Sequence, residues 1–409
     1  MRRLIAPANL ISIGIVALAI AIVAYANWRD GKQGRGREIA ALQLGVPESP
    51  TRSRVDLESR VTALESRLAT NPDDVRAAIH LADALLRLTR VSGNAGLAAR
   101  AEEALKKALV EGPGDYEANR ALGGLYLSQH RFREAIAAGR KTRDLRPHDP
   151  VNYGVIGDGY LELGDYEQAF AAFDRMMQLR PSAAAYARVA YARELQGDVN
   201  GAIASMKLAA DATGADDPEG LAWVHAQIGE LYFELGRFHD AKVEYSTASR
   251  AFPGHPFAVS GYAKAIAAEG DAARALALLE NLARTSLTPD LAARIGNLLE
   301  RLGRHDEARR QYALAEAGWR SDAPEPRSLA RFLADRGKGE EAVEVAERAA
   351  AERHDIFTQD ALAWAYFKSG RLDEANKAMA LALRTGTRDR DIRSHAEAIA
   401  ATASRMAAR

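Results

Sequence analysis

The stretch Leu161-Glu-Leu-Gly164-Asp-Tyr-Glu-Gln-Ala169-Phe170 decides the fold, because its outline recurs along the chain. Similar sequences stand at 235–241, 302–308 and 369–375. Alignment on the alanine gives steps of 33 or 34 residues and one of 39, which contains an insertion at 214–220. A fixed period of this length is typical of stacked helical hairpins. The aligned alanines are Ala101, Ala135, Ala169, Ala202, Ala241, Ala275, Ala308, Ala342 and Ala375.

A second small residue precedes each alanine, by twelve residues in every repeat but the first, where the spacing is longer. Two antiparallel helices cross closely only if neither carries a large side chain at the contact. One large residue stands three residues after the first small position, and in several repeats another stands four residues after the alanine. Each repeat therefore predicts a hairpin of two packed helices. The second set is Ala82, Gly123, Gly157, Ala190, Gly229, Ala263, Gly296, Ala330 and Ala363.

Glycine and proline mark the ends of the predicted helices. A glycine between the two helices supplies the left-handed turn residue, and a proline stops the second helix of several repeats. The turn glycines are Gly164, Gly197, Gly236, Gly270, Gly303, Gly337 and Gly370, and the prolines are Pro113, Pro147, Pro181 and Pro253.

The third repeat carries nearly a full known pattern, in Tyr153, Ile156, Gly157, Tyr160, Ala169, Phe173 and Pro181. These residues resemble the tetratricopeptide repeat (TPR) family. The resemblance implies an all-α protein, a right-handed α-solenoid of about nine TPR hairpins over residues 75–387. Each hairpin buries its apolar face only against its neighbours. The fourth, sixth and eighth repeats depart from the pattern, with Arg193, Ile266 and Leu333 in place of an aromatic residue.

An apolar run at residues 4–26 precedes the repeats and is long enough to span a bilayer, which takes about 20 residues. A short N-terminal tail before a large body favours export of the body. We therefore predict a membrane anchor or signal-anchor at 1–29, bound to the lipid bilayer through 4–26. The protein would be a single-pass inner-membrane protein with a periplasmic body. Two alternatives stay open: cleavage after Ala24-Tyr25-Ala26, and a body facing the cytoplasm, because the downstream flank is the more basic.

Three further segments flank the repeats. Residues 30–53 are rich in Gly, Pro and basic residues and predict a flexible linker. Residues 54–70 predict a lead-in helix, with Leu57, Val61, Leu64 and Leu68 on one face. That face could cover the first hairpin, or it could form a homodimer through residues 55–69. Residues 388–409 predict a capping helix.

The composition argues against several functional classes. The formal net charge is zero, with 55 basic and 55 acidic residues, so we expect no nucleic-acid partner. The chain has no cysteine, and its nine histidines form no pair at metal-binding helical spacing. Phosphate-binding and nucleophile motifs are also missing. We therefore expect no enzyme activity, no metal and no cofactor.

The family resemblance implies a protein or peptide ligand in the groove lined by the first helix of each hairpin. Fifteen groove residues are carried over by position, and charged groups stand beside aromatic rings, which suits peptide binding. The alternative is that aromatic residues such as Trp223 only seal the packing between hairpins. The groove residues are Arg120, Asp158, Tyr191, Glu194, Trp223, Glu230, Phe233, Phe257, Lys264, Asn297, Arg327, Arg331, Asp360, Trp364 and Phe367.

These patterns together predict a non-catalytic, membrane-tethered scaffold for the assembly or escort of envelope proteins. One alternative is a TPR subunit of cytochrome c maturation that holds an apocytochrome segment, because residues 64–74 are similar to the start of the repeats in that group. Another is a cytoplasm-facing adaptor of an envelope-assembly complex. The absence of Cys weighs against it, because that group carries a cysteine-ligated metal module.

Overall fold

The computed structural model describes residues 53–94, 96–321 and 326–407, and the predicted anchor and most of the linker lie outside these ranges. The described residues form helices and no strands. None of these helices combines the length and hydrophobicity of a membrane span. In chain order they are α1 Arg54–Thr70, α2 Val75–Ser92, α3 Gly96–Glu111, α4 Tyr116–Ser128, α5 Phe132–Leu145, α6 Pro150–Leu163, α7 Tyr166–Leu179, α8 Ala183–Leu195, α9 Val199–Ala212, α10 Pro218–Glu234, α11 Phe238–Ala251, α12 Pro256–Ala268, α13 Ala272–Ala283, α14 Pro289–Arg301, α15 His305–Ser321, α16 Pro326–Asp335, α17 Gly339–Glu352, α18 Ile356–Lys368, α19 Leu372–Ala382 and α20 Arg390–Ala407.

Helices α2 to α19 pair in order as hairpins, and each hairpin packs on the next. In the hairpins of repeats 3, 5 and 7, an aromatic ring of the second helix lies directly over a glycine of the first. A Cβ atom added to Gly157 would lie 2.6 Å from Cδ1 of Phe173, and one added to Gly229 would lie 2.7 Å from Cε1 of Tyr245. In these three repeats the small residue is therefore glycine because its partner is an aromatic ring, and not only because the helices cross.

The predicted helix ends are confirmed. All seven turn glycines adopt a positive φ, and His130 takes the same conformation (φ 58°) in the second repeat, which has no glycine there. Helices α3, α5, α7 and α11 each end two residues before a proline. Side chains cap many helix starts, as Asp165 does by accepting a hydrogen bond from the Gln168 N–H.

The apolar face of the lead-in helix α1 packs against the first hairpin of the same chain. Leu57 and Leu64 are fully buried and Val61 is 5% exposed, in the same core cluster as Leu85 of α2. The suggested homodimer through residues 55–69 is therefore wrong as a use of this face, because the first hairpin already covers it. Val55, on the other side of the helix, is 66% exposed.

Repeats 1 and 5, which are distant in sequence, contact each other, and we call this contact the first seam. The Arg90 guanidinium donates to both carboxylate oxygens of Glu219, at 2.9 and 2.7 Å, across 129 residues of sequence. The Arg87 guanidinium donates to Asp217 at 2.7 Å. Glu219 is 2% exposed, and although burial opposes ionisation, the hydrogen bonds and positive charge of Arg90, together with the charge of Arg87, lower its pKa to about 2. Asp217 lies within the insertion predicted at 214–220, so that insertion builds part of the contact between repeats 1 and 5.

A second seam joins repeats 3 and 9. The Arg353 guanidinium bonds the Glu162 carboxylate, and the His354 N–H donates to the Leu163 carbonyl at 3.0 Å. The Tyr166 hydroxyl accepts a 2.8 Å hydrogen bond from the Ile356 N–H. One hydrophobic cluster includes Phe173 and Leu195 of the early repeats together with Ile356, Met379 and Ile392. A repeat thus meets another four to six repeats further on, and the solenoid closes upon itself.

Candidate functional site

The structure places all fifteen groove residues on the first helices of repeats 2 to 9. Their exposure differs widely. Phe257 is 50% exposed and Asn297 is also open to solvent, whereas Phe233 is 8% and Asp360 1% exposed. The other eleven are partly buried. Since Phe233 and Asp360 are covered by the chain itself, they do not lie on the open surface.

Many groove charges are paired with the neighbouring repeat. The Arg188 guanidinium binds Asp158 through two nitrogens, with Nε 2.9 Å from Oδ1. Lys264 binds Glu230, which also accepts a 2.8 Å hydrogen bond from the Tyr245 hydroxyl. These pairs stand 30 to 34 residues apart. They therefore join adjacent first helices as well as giving the surface its polarity.

The same pattern continues through the later repeats. The Asn297 side-chain oxygen accepts hydrogen bonds from Tyr312 at 2.9 Å and Arg336 at 3.2 Å. The Arg327 guanidinium is 3.1 Å from the Asp355 carboxylate. In the second repeat, Arg120 pairs instead within its own helix, with Glu117 at 2.8 Å, and lies 3.5 Å from Asp149.

The predicted aromatic anchors differ in what they contact. Trp223 packs against the first core cluster and Tyr191 against the cluster that joins distant repeats, so both take part in packing. Phe257 stands out into solvent, with the ring of buried His255 behind it at 5.8 Å between centroids. Among the fifteen residues, Phe257 therefore best fits an apolar anchor open to a ligand.

An aromatic cluster forms around Trp364 in the ninth repeat. The His395 ring of α20 stacks on Trp364 at 4.0 Å with 14° between the planes, and Phe367 lies 5.3 Å away. The Trp364 indole N–H donates to Asp335 at 2.7 Å. His395 Nδ1 is 2.8 Å from an oxygen of Asp360. The chain's own capping helix therefore covers one side of the Trp364 ring.

Three carboxylates meet around a cavity where α8, α10 and the turn before α20 come together. Glu194, Glu234 and Asp389 line it, with Phe357 on another side. Burial, followed by the negative charges of Glu234 and Asp389, raises the pKa of Glu194 to about 8. Burial raises the pKa of Glu234 to about 7, against the opposing effect of Lys264. Burial likewise raises the pKa of Asp389. Proton binding at near-neutral pH relieves this repulsion.

The sequence prediction missed the residues that α20 and its preceding turn add to this surface, namely Asp389, Arg390, Asp391 and His395. They follow the last repeat, so no repeat position marks them. Within residues 53–94, 96–321 and 326–407, no group of three or more His, Asp or Glu side chains is placed to hold a metal ion.

The chain is similar to known helical-repeat proteins. A family model described as tetratricopeptide repeat matches residues 93–150, 155–218 and 227–286. Among solved structures, the human IFIT1 dimer with m7Gppp-AAAA is similar, with a TM-score of 0.53 and 14% identity over 80% of this chain and 77% of that one. The APC/C hetero-tetramer Cut9-Hcn1 gives a TM-score of 0.51 and 14% identity over 84% of this chain.

The chain spans only 59% of the length of the APC/C protein that it matches. At such low identities, the solved structures share the fold with this chain and carry no statement about its ligand. A comparison with curated proteins finds no significant match.

Proposed function

We propose that the chain is a non-catalytic scaffold of tetratricopeptide repeats, which a family model matches over 93–150, 155–218 and 227–286, and that it binds polypeptide segments of other proteins on the surface of its first helices. Solenoids of stacked repeats present extended surfaces for binding. The observation that carries the proposal is Phe257, a large apolar ring that is 50% exposed on a first helix, at one of the predicted groove positions. Aromatic anchors of this kind supply much of the affinity at protein interfaces.

The charges near the ring support a peptide ligand over a purely apolar one. Lys264 stands seven residues after Phe257 on α12, and its ammonium pairs with Glu230 and lies 4.0 Å from the centroid of the Phe233 ring. An extended peptide would place an apolar side chain on Phe257 and exchange hydrogen bonds with these partly exposed charges. The aromatic ring would provide affinity, and the charges would set register and orientation.

We further propose that residues 4–26 anchor the protein in the inner membrane, with the repeats on the periplasmic side, where they would organise or escort envelope proteins. The support is the apolar run and its position ahead of a long body. An enzyme reporter that works only after export, fused after Arg409, should show activity in cells. Activity of a cytoplasm-only reporter at the same position would contradict this orientation.

Site-specific photo-crosslinking tests the binding surface. A photoreactive residue at position 257 in the full chain should form crosslinks to one or a few discrete proteins in native membranes. The matched control is position 243, because Val243 is 51% exposed and lies on the second helix α11. Equal crosslinking from both positions would mean that the first-helix surface has no special role in binding.

A further inference from the structure

The turn before α20 and the start of that helix lie across predicted groove residues of repeats 4 and 5 and of repeats 8 and 9. The Arg384 guanidinium donates to the carbonyls of Gly164 and His354. The Gly386 carbonyl lies so close to Gly197 that a Cβ atom on Gly197 would overlap it. Residues 384–389 therefore fasten the end of the chain to repeats 3 and 4.

The next residues contact four of the predicted groove positions. The Arg390 N–H donates to Glu234 at 3.1 Å, and its guanidinium donates to the Phe233 carbonyl at 3.4 Å. Asp391 accepts a 2.6 Å hydrogen bond from Arg331. Further along α20, the His395 ring stacks on Trp364, and its Nδ1 atom lies within hydrogen-bond distance of Asp360. The segment thus uses the same kinds of contact that a peptide ligand would use.

We propose that residues 384–395, the C-terminal latch, are an autoinhibitory occupant of the groove that a polypeptide ligand displaces. This inference rests on the proposed function. The latch also indicates what such a ligand must offer, in order along its chain. It needs a backbone N–H for Glu234, a cation for the Phe233 carbonyl, a carboxylate for Arg331 and a flat ring for Trp364. A mixed-charge peptide containing His or an aromatic residue fits this description.

The balance of contacts makes the latch displaceable. Its hydrogen bonds to the early repeats come from Arg384 and Arg390, and the closed position brings Asp389 towards Glu194 and Glu234, three like charges around one cavity. Burial raises the pKa of each of these carboxyls, so ionisation opposes closure. Against this, two buried isoleucines of α20, Ile392 and Ile399, hold the helix. A tethered segment also acts at about millimolar effective concentration, so the closed form prevails until a better ligand competes.

The test uses the full chain and a fluorescent synthetic peptide with the sequence of residues 384–407. Asp391→Lys places two cations together at Arg331 and should release the latch, whereas the added peptide still carries Asp391. We expect the peptide to bind this variant at least tenfold more tightly than the wild type. Arg393→Glu is the matched control, because Arg393 is exposed on the same helix and has no ion pair among the described residues. It should bind the peptide like the wild type.

Hydrogen exchange of residues 384–395 provides a readout that needs no ligand. Exchange there should become at least tenfold faster in Asp391→Lys than in the wild type. Ile399→Asp gives a second route to release, with Met406→Asp, at a site 63% exposed, as its control. Equal peptide affinity for wild type and both release variants, or unchanged exchange in both, would overturn the latch. The proposed function fails separately, if position 257 gives no selective crosslinks.

Discussion

The contact between Gly157 and Phe173 allows a sharp test of the repeat register. In Gly157→Ala the new methyl group would lie 2.6 Å from Cδ1 of the Phe173 ring and 3.2 Å from the Ala169 carbonyl oxygen. The ring is 2% exposed and cannot swing into solvent. Overpacking of this kind costs about 1–3 kcal/mol. Alanine in place of glycine inside a helix stabilises by about 0.5–1 kcal/mol, so we expect a net loss centred near 1 kcal/mol and no larger than about 2.5 kcal/mol.

Gly124 provides the matched control, because it lies inside helix α4 and nothing lies within 4 Å of its added Cβ. Gly124→Ala keeps the gain in helix propensity without the clash, so it should be about 0.5–1 kcal/mol more stable than the wild type. The propensity gain cancels in the comparison of the two variants, and their difference of about 1–3 kcal/mol isolates the overlap with the ring.

Urea unfolding of the purified full chain, followed by far-ultraviolet circular dichroism, measures both variants. The midpoint should fall for Gly157→Ala and rise for Gly124→Ala. Because neighbouring hairpins stabilise each other, the loss at Gly157 should extend to adjacent repeats and broaden the transition. If both variants are equally stable, a methyl group fits at the crossing and the explanation of the recurring glycine is wrong.

Three further predictions concern the closed array. Leu64→Ala should lower the free energy of unfolding by about 2–5 kcal/mol, measured by urea unfolding, because Leu64 is fully buried. The control Val55→Ala should change it by less than about 0.5 kcal/mol, and similar losses in the two variants would contradict the docking of α1. Glu219→Gln should cost about 1.5–3 kcal/mol by removing charge-assisted hydrogen bonds from Arg90, and wild-type stability would mean that the seam adds nothing. Since the pKa of Glu194 is raised from 4.5 to about 8, its stabilising effect is complete below pH 4.5 and is lost as the pH rises to about 8. The unfolding free energy of Glu194→Gln should therefore fall less over this range than that of the wild type; an identical pH profile would refute the shift.

The sequence could predict the site only in part. Positions such as Arg331 and Trp364 lie on the expected first helices, because the repeat register fixes which helix carries them. Their partners Asp391 and His395 could not be predicted, because they come from a helix outside the period. Phe257 is exposed and Phe233 is buried, although both occupy predicted groove positions. The repeat register does not predict this difference, because the exposure of each ring depends on which other parts of the chain cover it.

The sequence by itself determined the hairpins, because their causes are local. A small residue twelve residues before an alanine, a large residue four residues after that alanine in several repeats, and a left-handed turn between the helices act over fewer than twenty residues. Only the tertiary structure decided that the solenoid closes. Closure depends on small rotations accumulated over four to six repeats, and it brings Arg90 to Glu219 across 129 residues that carry no pattern linking the two.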